Sequence, residues 1–251
     1  MNVFDKLQEK FDCITLLTLS SRKDRQNGIM DQLKNIGYSG KGLDIYYATT
    51  FPYNGLICNA FNNLGTRVFT KPNEFDCARN HYAIVRKALD LGYAHLLVIE
   101  DDIRFLKDQD KLMEYINVLP DDYDIIQFGG FTDNLKIEKY LTSPEDFHYF
   151  EHKDVGCWTT AMYALSRKGM QYYLAFMDKL FWVADGPLYK APINDKLVKS
   201  YLSKIPLVIQ EDKNLVSSDI RNEQNDTIDY NNINRYEKYI NKDDYFEYKI
   251  S

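Results

Sequence analysis

Three consecutive carboxylates, Glu100, Asp101 and Asp102, directly follow an apolar run at residues 96–99. The apolar run predicts a strand that is buried on both faces, as the central strands of parallel sheets are. The carboxylates would then stand at the carboxyl end of a core strand, where open α/β sheets bind their ligands. Because like charges this close repel each other, they favour a hard divalent cation that would bridge to the diphosphate of a nucleotide.

A plain structural interpretation of the acidic run stays open. Acidic residues after a strand are often a solvated turn or the cap of the next helix, and Asp108 is a local candidate for a cap. If the extended geometry continued, Glu100 and Asp102 would share one face while Asp101 pointed away. Glycosidases place two carboxylates about 5–10 Å apart across a sugar ring. Glu100 and Asp102 stand at the end of one strand and cannot lie on both sides of a sugar ring, so hydrolysis of a glycoside by these two residues is disfavoured.

A second group of candidate side chains lies on a predicted helix. Glu74, Cys77 and His81 are separated by three and four residues, so one helix face carries all three. That face either packs on the sheet, with His81 bonded to a buried partner, or contacts a nucleotide or the outer shell of a metal site.

Four residues elsewhere complete the candidates. Ser20 and Arg25 follow the first predicted strand, where a nucleotide-binding fold offers hydrogen bonds to base and ribose; a surface charge is the alternative for Arg25. Asp185 is the candidate general base that takes the proton of an acceptor hydroxyl, and a helix cap is its alternative. Gln210 is predicted to shape the site from a closing loop, with simple packing as the alternative.

The charge balance and the cysteines restrict the partners and the compartment. With 31 basic and 37 acidic residues the net charge is −6, which lacks the basic footprint of a nucleic-acid binder. A bound metal can still supply local positive charge for a phosphorylated ligand. Cysteines without CxxC spacing, and no apolar run approaching roughly 18 residues, predict a cytoplasmic protein without a transmembrane segment. Peripheral contact with a membrane surface is compatible with this composition.

Strand and helix patterns alternate along most of the chain. Strands are predicted at residues 13–19, 43–48, 95–99, 123–128, 159–165 and 207–209, and helices at 22–36, from the cap Asn73 to Gly92, and at 166–180. Residues 51–70 are predicted to form a long loop near a site. We therefore predict one α/β domain over residues 1–218, and a C-terminal extension over 219–251 that is peripheral or partly disordered.

Around the acidic run the sequence resembles glycosyltransferase family 25, the lipooligosaccharide-biosynthesis galactosyltransferases whose relatives also glycosylate collagen. The likeness is most specific from Glu74 to Ile103, and weaker blocks occur in the same order near residues 19–25, 160–167 and 183–220. Four positions depart from the family pattern. Asp76 and Asn80 stand near positions where the family has Gly and Ser, and Thr159 and Met162 stand where glycines are common.

The resemblance implies a GT-A-like, nucleotide-sugar-binding fold with a mostly parallel central sheet flanked by helices. It implies inverting transfer of a hexose, galactose or glucose, from a UDP-sugar to a glycan or protein-linked hydroxyl, with Mn²⁺ or Mg²⁺ as cofactor. In that scheme Glu100 and Asp102 bind the metal and Asp185 is catalytic. The donor contacts would come from Ser20, Arg25, Glu74, His81, Asp101 and Gln210.

Two other functions stay open. A catalytically silent relative would bind a glycan or a partner protein, and the four departures motivate this alternative. A nucleotidyltransferase that makes sugar nucleotides is disfavoured, because residues 20–25 lack the glycines that such enzymes carry after their first strand.

Overall fold

The computed structural model describes residues 1–63, 72–129, 147–152, 156–180, 182–194, 197–210 and 241–247. Seven α-helices and nine strands lie in these ranges. In chain order they are α1 (Val3–Lys10), β1 (Cys13–Leu19), α2 (Lys23–Asn35), β2 (Asp44–Ala48), α3 (Asn54–Asn63), α4 (Pro72–Asp90), β3 (His95–Glu100), β4 (Ile103–Phe105), α5 (Gln109–Asn117), β5 (Ile125–Gln127), β6 (Tyr149–Glu151), β7 (Met162–Ser166), α6 (Arg167–Leu180), α7 (Gly186–Asn194), β8 (Ser200–Ser203) and β9 (Val208–Gln210).

Seven of the strands form one sheet in the order β2-β1-β3-β7-β5-β8-β6. β1 is parallel to β2 and β3, and β5 is parallel to β8, whereas β7 and β6 are antiparallel to their neighbours. Five strands (β1, β2, β3, β5 and β8) therefore run in one direction and two in the other. The predicted α/β class, with a mostly parallel sheet flanked by helices, is confirmed.

Each face of the sheet buries its own core. Along β3, Leu97 and Ile99 pack with α1, α2 and α5, whereas Leu96 and Val98 pack with α4, α6 and α7. The alternation follows from the two-residue period of a strand, and apolar residues on both faces are expected for a central strand. Truncating one of these leucines to alanine would cost about 2–5 kcal/mol.

The strand directions bring three chain segments to one edge of the sheet. β1 and β3 are parallel neighbours, so both end at this edge, and the antiparallel β7 begins there. A small second sheet, β4 with β9, adds a fourth segment, because its register places Gln210 opposite Ile103 just after the acidic run.

The described part of the C-terminal extension packs on the domain. Tyr245 is buried, its hydroxyl donates to the carbonyl of Pro206 at 2.7 Å, and Arg104 donates to the carbonyl of Phe246. The predicted boundary at residue 218 lies outside the described residues, so the two-part division stays a prediction. Along the described ranges, no helix has the length and apolar character needed to cross a membrane.

Two local predictions are wrong. Within the loop predicted at residues 51–70, Asn54–Asn63 is the helix α3, and 64–71 lie outside the described residues. The many Asn, Gly and Phe residues of this stretch favour a loop, but Asp76 of α4 accepts hydrogen bonds from Phe51 N and Asn54 Nδ2 and so anchors the start of α3. α4 itself begins at Pro72, whose missing N–H costs nothing in a first turn, so Asn73 is not its cap.

Candidate active site

Glu100, the last residue of β3, is held from three sides. His81 Nε2 lies 3.0 Å from Glu100 Oε1, the Thr160 hydroxyl donates to the same oxygen at 2.5 Å, and Gln210 Nε2 donates to Oε2 at 3.3 Å. Burial alone would raise the pKa of Glu100, but the contacts from His81 and Thr160 outweigh burial and lower it. Glu100 is therefore a fixed, ionised carboxylate at neutral pH.

Asp101 points back toward β1 and α2. It accepts from the Thr18 hydroxyl at 2.6 Å and from Arg25 Nη1 at 3.4 Å. Arg25 is itself buried, so this ion pair sits between the sheet and the first turn of α2. Burial raises the pKa of Asp101 despite the opposing hydrogen bond from Thr18.

Asp102 is the least satisfied of the three carboxylates. Its Oδ2 lies 3.8 Å from Arg25 Nη1, while its buried Oδ1 has no hydrogen-bond partner within the ranges that the structure describes. Burial first, and then the charge of Glu100, raise the pKa of Asp102 to about 7. The side chains of Glu100 and Asp102 are 14% and 28% exposed, so neither lies in bulk water.

The three carboxylates do not alternate as an extended chain would make them. β3 ends at Glu100, and Asp101 and Asp102 form a turn into β4. The turn lets Arg25 approach both aspartates, and among the described residues it leaves one oxygen of Asp102 for a further ligand. Such an unpaired buried carboxylate oxygen suits a hard divalent cation.

Asp185 directly precedes α7, and the charge of Glu100 acts on it. It accepts from the backbone N–H of Thr159 at 3.0 Å, and burial raises its pKa to about 6. Thr159 has φ of 108°, a left-handed conformation that is strained for a β-branched residue. The strained turn is braced by Gln127, whose side chain donates to the carbonyls of Cys157 and Thr159, both at 3.1 Å.

The structure brings most of the predicted site residues together, but not all. Arg25, His81 and Gln210 contact the acidic run directly. Ser20 lies exposed in the turn after β1, and Glu74 is half-buried in the first turn of α4, one turn before Cys77. The residues 218–220 that contributed to the resemblance lie outside the described ranges.

Sequence reasoning missed three hydroxyls that hold the site. Thr18 and Thr160 bond to Asp101 and Glu100, and the Tyr163 hydroxyl lies 3.0 Å from His81 Nδ1. Thr160 reaches Glu100 because Glu100 N donates to the carbonyl of Ala161 where β7 joins β3. No local pattern carries this information, since it depends on which strands become neighbours.

Comparison with known families agrees with the geometry. A family model described as Glycosyltransferase family 25 (LPS biosynthesis protein) matches residues 11–186. The matched range includes the acidic run, His81 and Asp185, and it ends before Gln210.

One similar protein is named as an inactive family member and another is named as a galactosyltransferase. A Homo sapiens protein named inactive glycosyltransferase 25 family member 3 is 28% identical over 183 residues, 66% of this chain and 29% of that protein. Procollagen galactosyltransferase 1 of Danio rerio is 31% identical over 144 residues, 56% of this chain and 23% of that protein. The chain thus spans less than a third of the length of these relatives.

Two solved structures show a remote likeness to this chain. Mannose-1-phosphate geranyltransferase from Thermus thermophilus aligns with a TM-score of 0.39 and 11% identity, over 76% of this chain and 72% of that one. A glycosyltransferase involved in the glycosylation of the major capsid of PBCV-1 aligns with a TM-score of 0.33 and 12% identity, over 66% and 68%. Similarities this low carry no argument about substrate.

Proposed function

This chain belongs to glycosyltransferase family 25, and on that premise we propose that it transfers a hexose, galactose or glucose, from a UDP-sugar to a glycan or protein-linked hydroxyl, with inversion and with Mn²⁺ or Mg²⁺ bound. One observation carries the proposal: three carboxylates converge at the carboxyl edge of the sheet, and Asp102 Oδ1 is buried there without a partner in the described ranges. A sheet edge of this kind is where α/β proteins bind nucleotides.

The residues present fit a hard cation. Asp102 would hold it through its unpaired oxygen, and Glu100, ionised and fixed by His81, would stand beside it. Burial first, and then repulsion from Glu100, raise the pKa of Asp102, and a positive ion would relieve that repulsion. When bound, such an ion supplies positive charge that stabilises a diphosphate leaving group.

The residues proposed to bind the UDP-sugar are those that lie around the acidic turn. Arg25 has donors directed at Asp101 and Asp102, and an arginine here is also suited to a phosphate oxygen. Gln210 brings an amide from the second sheet, and Ser20 follows β1 at the nucleotide-binding edge. We propose His81 as an outer-shell residue that orients Glu100, and Glu74 as a contact from the first turn of the same helix.

Asp185 is proposed as the general base. It would accept the proton of the acceptor hydroxyl as that oxygen bonds to the anomeric carbon, while the bond from the anomeric carbon to the diphosphate breaks. A pKa of about 6 leaves Asp185 ionised at pH 7 and close to the ideal value for proton transfer near neutrality. The Thr159 N–H at 3.0 Å fixes its orientation.

A catalytically silent role is the second candidate, because the Homo sapiens relative is named inactive. Two of the departures from the family pattern have a structural explanation, however. Asp76 accepts hydrogen bonds from Phe51 N and Asn54 Nδ2. Asn80 accepts from the backbone N–H of Thr49 and donates to its carbonyl, both at 3.0 Å. Both act on the segment after β2 and leave the acidic turn untouched, which favours the enzyme.

Calorimetric titration with UDP, with and without Mn²⁺, tests the proposal, followed by a screen of UDP-sugars for UDP release. We expect metal-dependent binding that is lost in Asp102→Ala and kept in Asp31→Ala, an exposed aspartate on α2. UDP release by the wild type, abolished in Asp102→Ala, would remove the silent alternative. Binding that is indifferent to metal and to Asp102→Ala would refute the proposed site.

A further inference from the structure

A softer set of ligands lies next to the acidic turn. The Cys77 sulfur, a ring nitrogen of His81 and a carboxylate oxygen of Glu100 all lie within 4.8 Å of one another. We propose that these three residues form a second cation site, which binds Zn²⁺ or a similar thiophilic ion and lies beside the hard-cation site at Asp102, with Glu100 shared between the two.

The backbone presents these side chains as a zinc site requires. Cys77 and His81 are four residues apart on α4, the spacing at which two side chains of one helix ligate a common metal. Glu100 approaches from the end of β3. Zn²⁺ binds sulfur at about 2.3 Å and nitrogen or oxygen at about 2.0–2.2 Å, so adjacent tetrahedral ligands stand about 3.3–3.7 Å apart. The present separation of 3.0 Å between His81 Nε2 and Glu100 Oε1 needs only a small widening.

An outer shell for the imidazole is already in place. The buried Tyr163 hydroxyl lies 3.0 Å from His81 Nδ1, so it can fix the ring while Nε2 faces Glu100 and the metal. Metal-binding histidines generally carry such a partner on the second nitrogen. Zn²⁺ with three protein ligands commonly takes a water as its fourth ligand.

The electrostatic surroundings favour a cation at this point. Glu100 and Asp185 place negative charge close to the Cys77 sulfur. This negative charge attracts a divalent ion, and ligation by sulfur then releases the thiol proton to solvent. Mn²⁺ prefers oxygen ligands and should therefore bind at Asp102, whereas Zn²⁺ accepts sulfur and nitrogen and should bind at the Cys77 site.

Titration of the metal-free full chain with Co²⁺ tests the site by a spectroscopic readout that needs no activity. A thiolate ligand to Co²⁺ produces a ligand-to-metal charge-transfer band, and we expect one that Zn²⁺ abolishes by displacement. Cys77→Ser should remove the band, and Tyr163→Phe should weaken Co²⁺ binding by about 10–100-fold, as loss of an outer-shell partner does. Cys13→Ser is the matched control, since Cys13 is a similarly half-buried thiol on β1.

Asp102→Asn separates this inference from the proposed function. We expect it to lose Mn²⁺ binding and keep the Co²⁺ charge-transfer band. Absence of the band in a wild type that is folded by circular dichroism, or a band that persists in a folded Cys77→Ser and Cys77→Ala, would overturn the second site and reduce the trio to a hydrogen-bonded structural cluster. A band lost in Asp102→Asn would also overturn it, because the sulfur would then belong to the hard-cation site.

Discussion

Replacing Asp102 with asparagine should stabilise the metal-free protein while abolishing metal binding. Within the described ranges, the wild-type side chain is a carboxylate with one buried, unpaired oxygen beside the ionised Glu100. Asparagine has nearly the same shape and no charge, so it removes the repulsion without leaving a cavity. The variant therefore isolates the electrostatic cost of a buried carboxylate beside Glu100.

The size of the effect follows from the pKa. A rise from 3.8 to about 7 sets an upper limit of about 4 kcal/mol, because each pH unit between the two values contributes about 1.4 kcal/mol. The side chain is 28% exposed, and solvent screening reduces the expected gain to about 2 kcal/mol.

The pH dependence has a definite sign. Between about pH 4 and 7 the native wild type binds more protons at Asp102 than the unfolded chain does, so the wild type loses stability as pH rises through this interval. An asparagine side chain does not titrate, so in Asp102→Asn that loss is absent. The difference between the two proteins should be near zero at about pH 4 and complete above about pH 7.

Urea unfolding in chelator at several pH values measures the difference. Asp31→Asn is the control, because it removes an exposed carboxylate and should change stability by less than about 0.5 kcal/mol. Saturating Mn²⁺ at about 100 times its Kd should add about 2.7 kcal/mol to the wild type and nothing to Asp102→Asn. An asparagine variant that is less stable than wild type at about pH 8 in chelator would refute the reasoning.

Three other predictions concern separate parts of the molecule. Asp185→Asn should lower kcat by about 10²–10⁴-fold with intact UDP binding, and wild-type kcat/KM should rise with pH through about 6; a flat profile would argue against the base. Thr159→Gly should be more stable to urea than Thr159→Ala by about 1 kcal/mol, because only glycine adopts φ 108° without strain. Alanine is usually the more stabilising of the two residues, so an alanine variant that is the more stable one would contradict the strain. Tyr245→Ala should cost about 3–5 kcal/mol in thermal or urea unfolding, and an unchanged midpoint would show that residues 241–247 are dispensable.

Much of the fold could be predicted because its signals are local. The apolar runs of β1 and β3 and the 3-4 spacing on α4 each extend over about 20 residues or fewer, and each of these elements is present. The short strands were placed less well: β5 covers only Ile125–Gln127 of the predicted 123–128, and β7 starts at Met162 instead of residue 159. Strand ends depend on pairing partners, which a single sequence does not display.

The acidic run shows the same division within the site. Its position after a buried strand was evident from sequence, and so was the charge repulsion among its members. The sequence did not show which carboxylate would be left unpaired. Thr18, Thr160 and Gln210, which hold Asp101 and Glu100, lie 83, 60 and 110 residues from their partners in the chain.

By itself, the sequence determined the elements and the chemical types: a core strand ending in carboxylates, and a helix face with a thiol and an imidazole. Only the tertiary structure decided their pairing, so that Glu100 and Asp101 are held by hydrogen bonds and Asp102, among the described residues, keeps an unpaired oxygen. The physical reason is that strand and helix propensities act between near neighbours in the chain, whereas hydrogen bonds and pKa values depend on distances in space that strand order and register set.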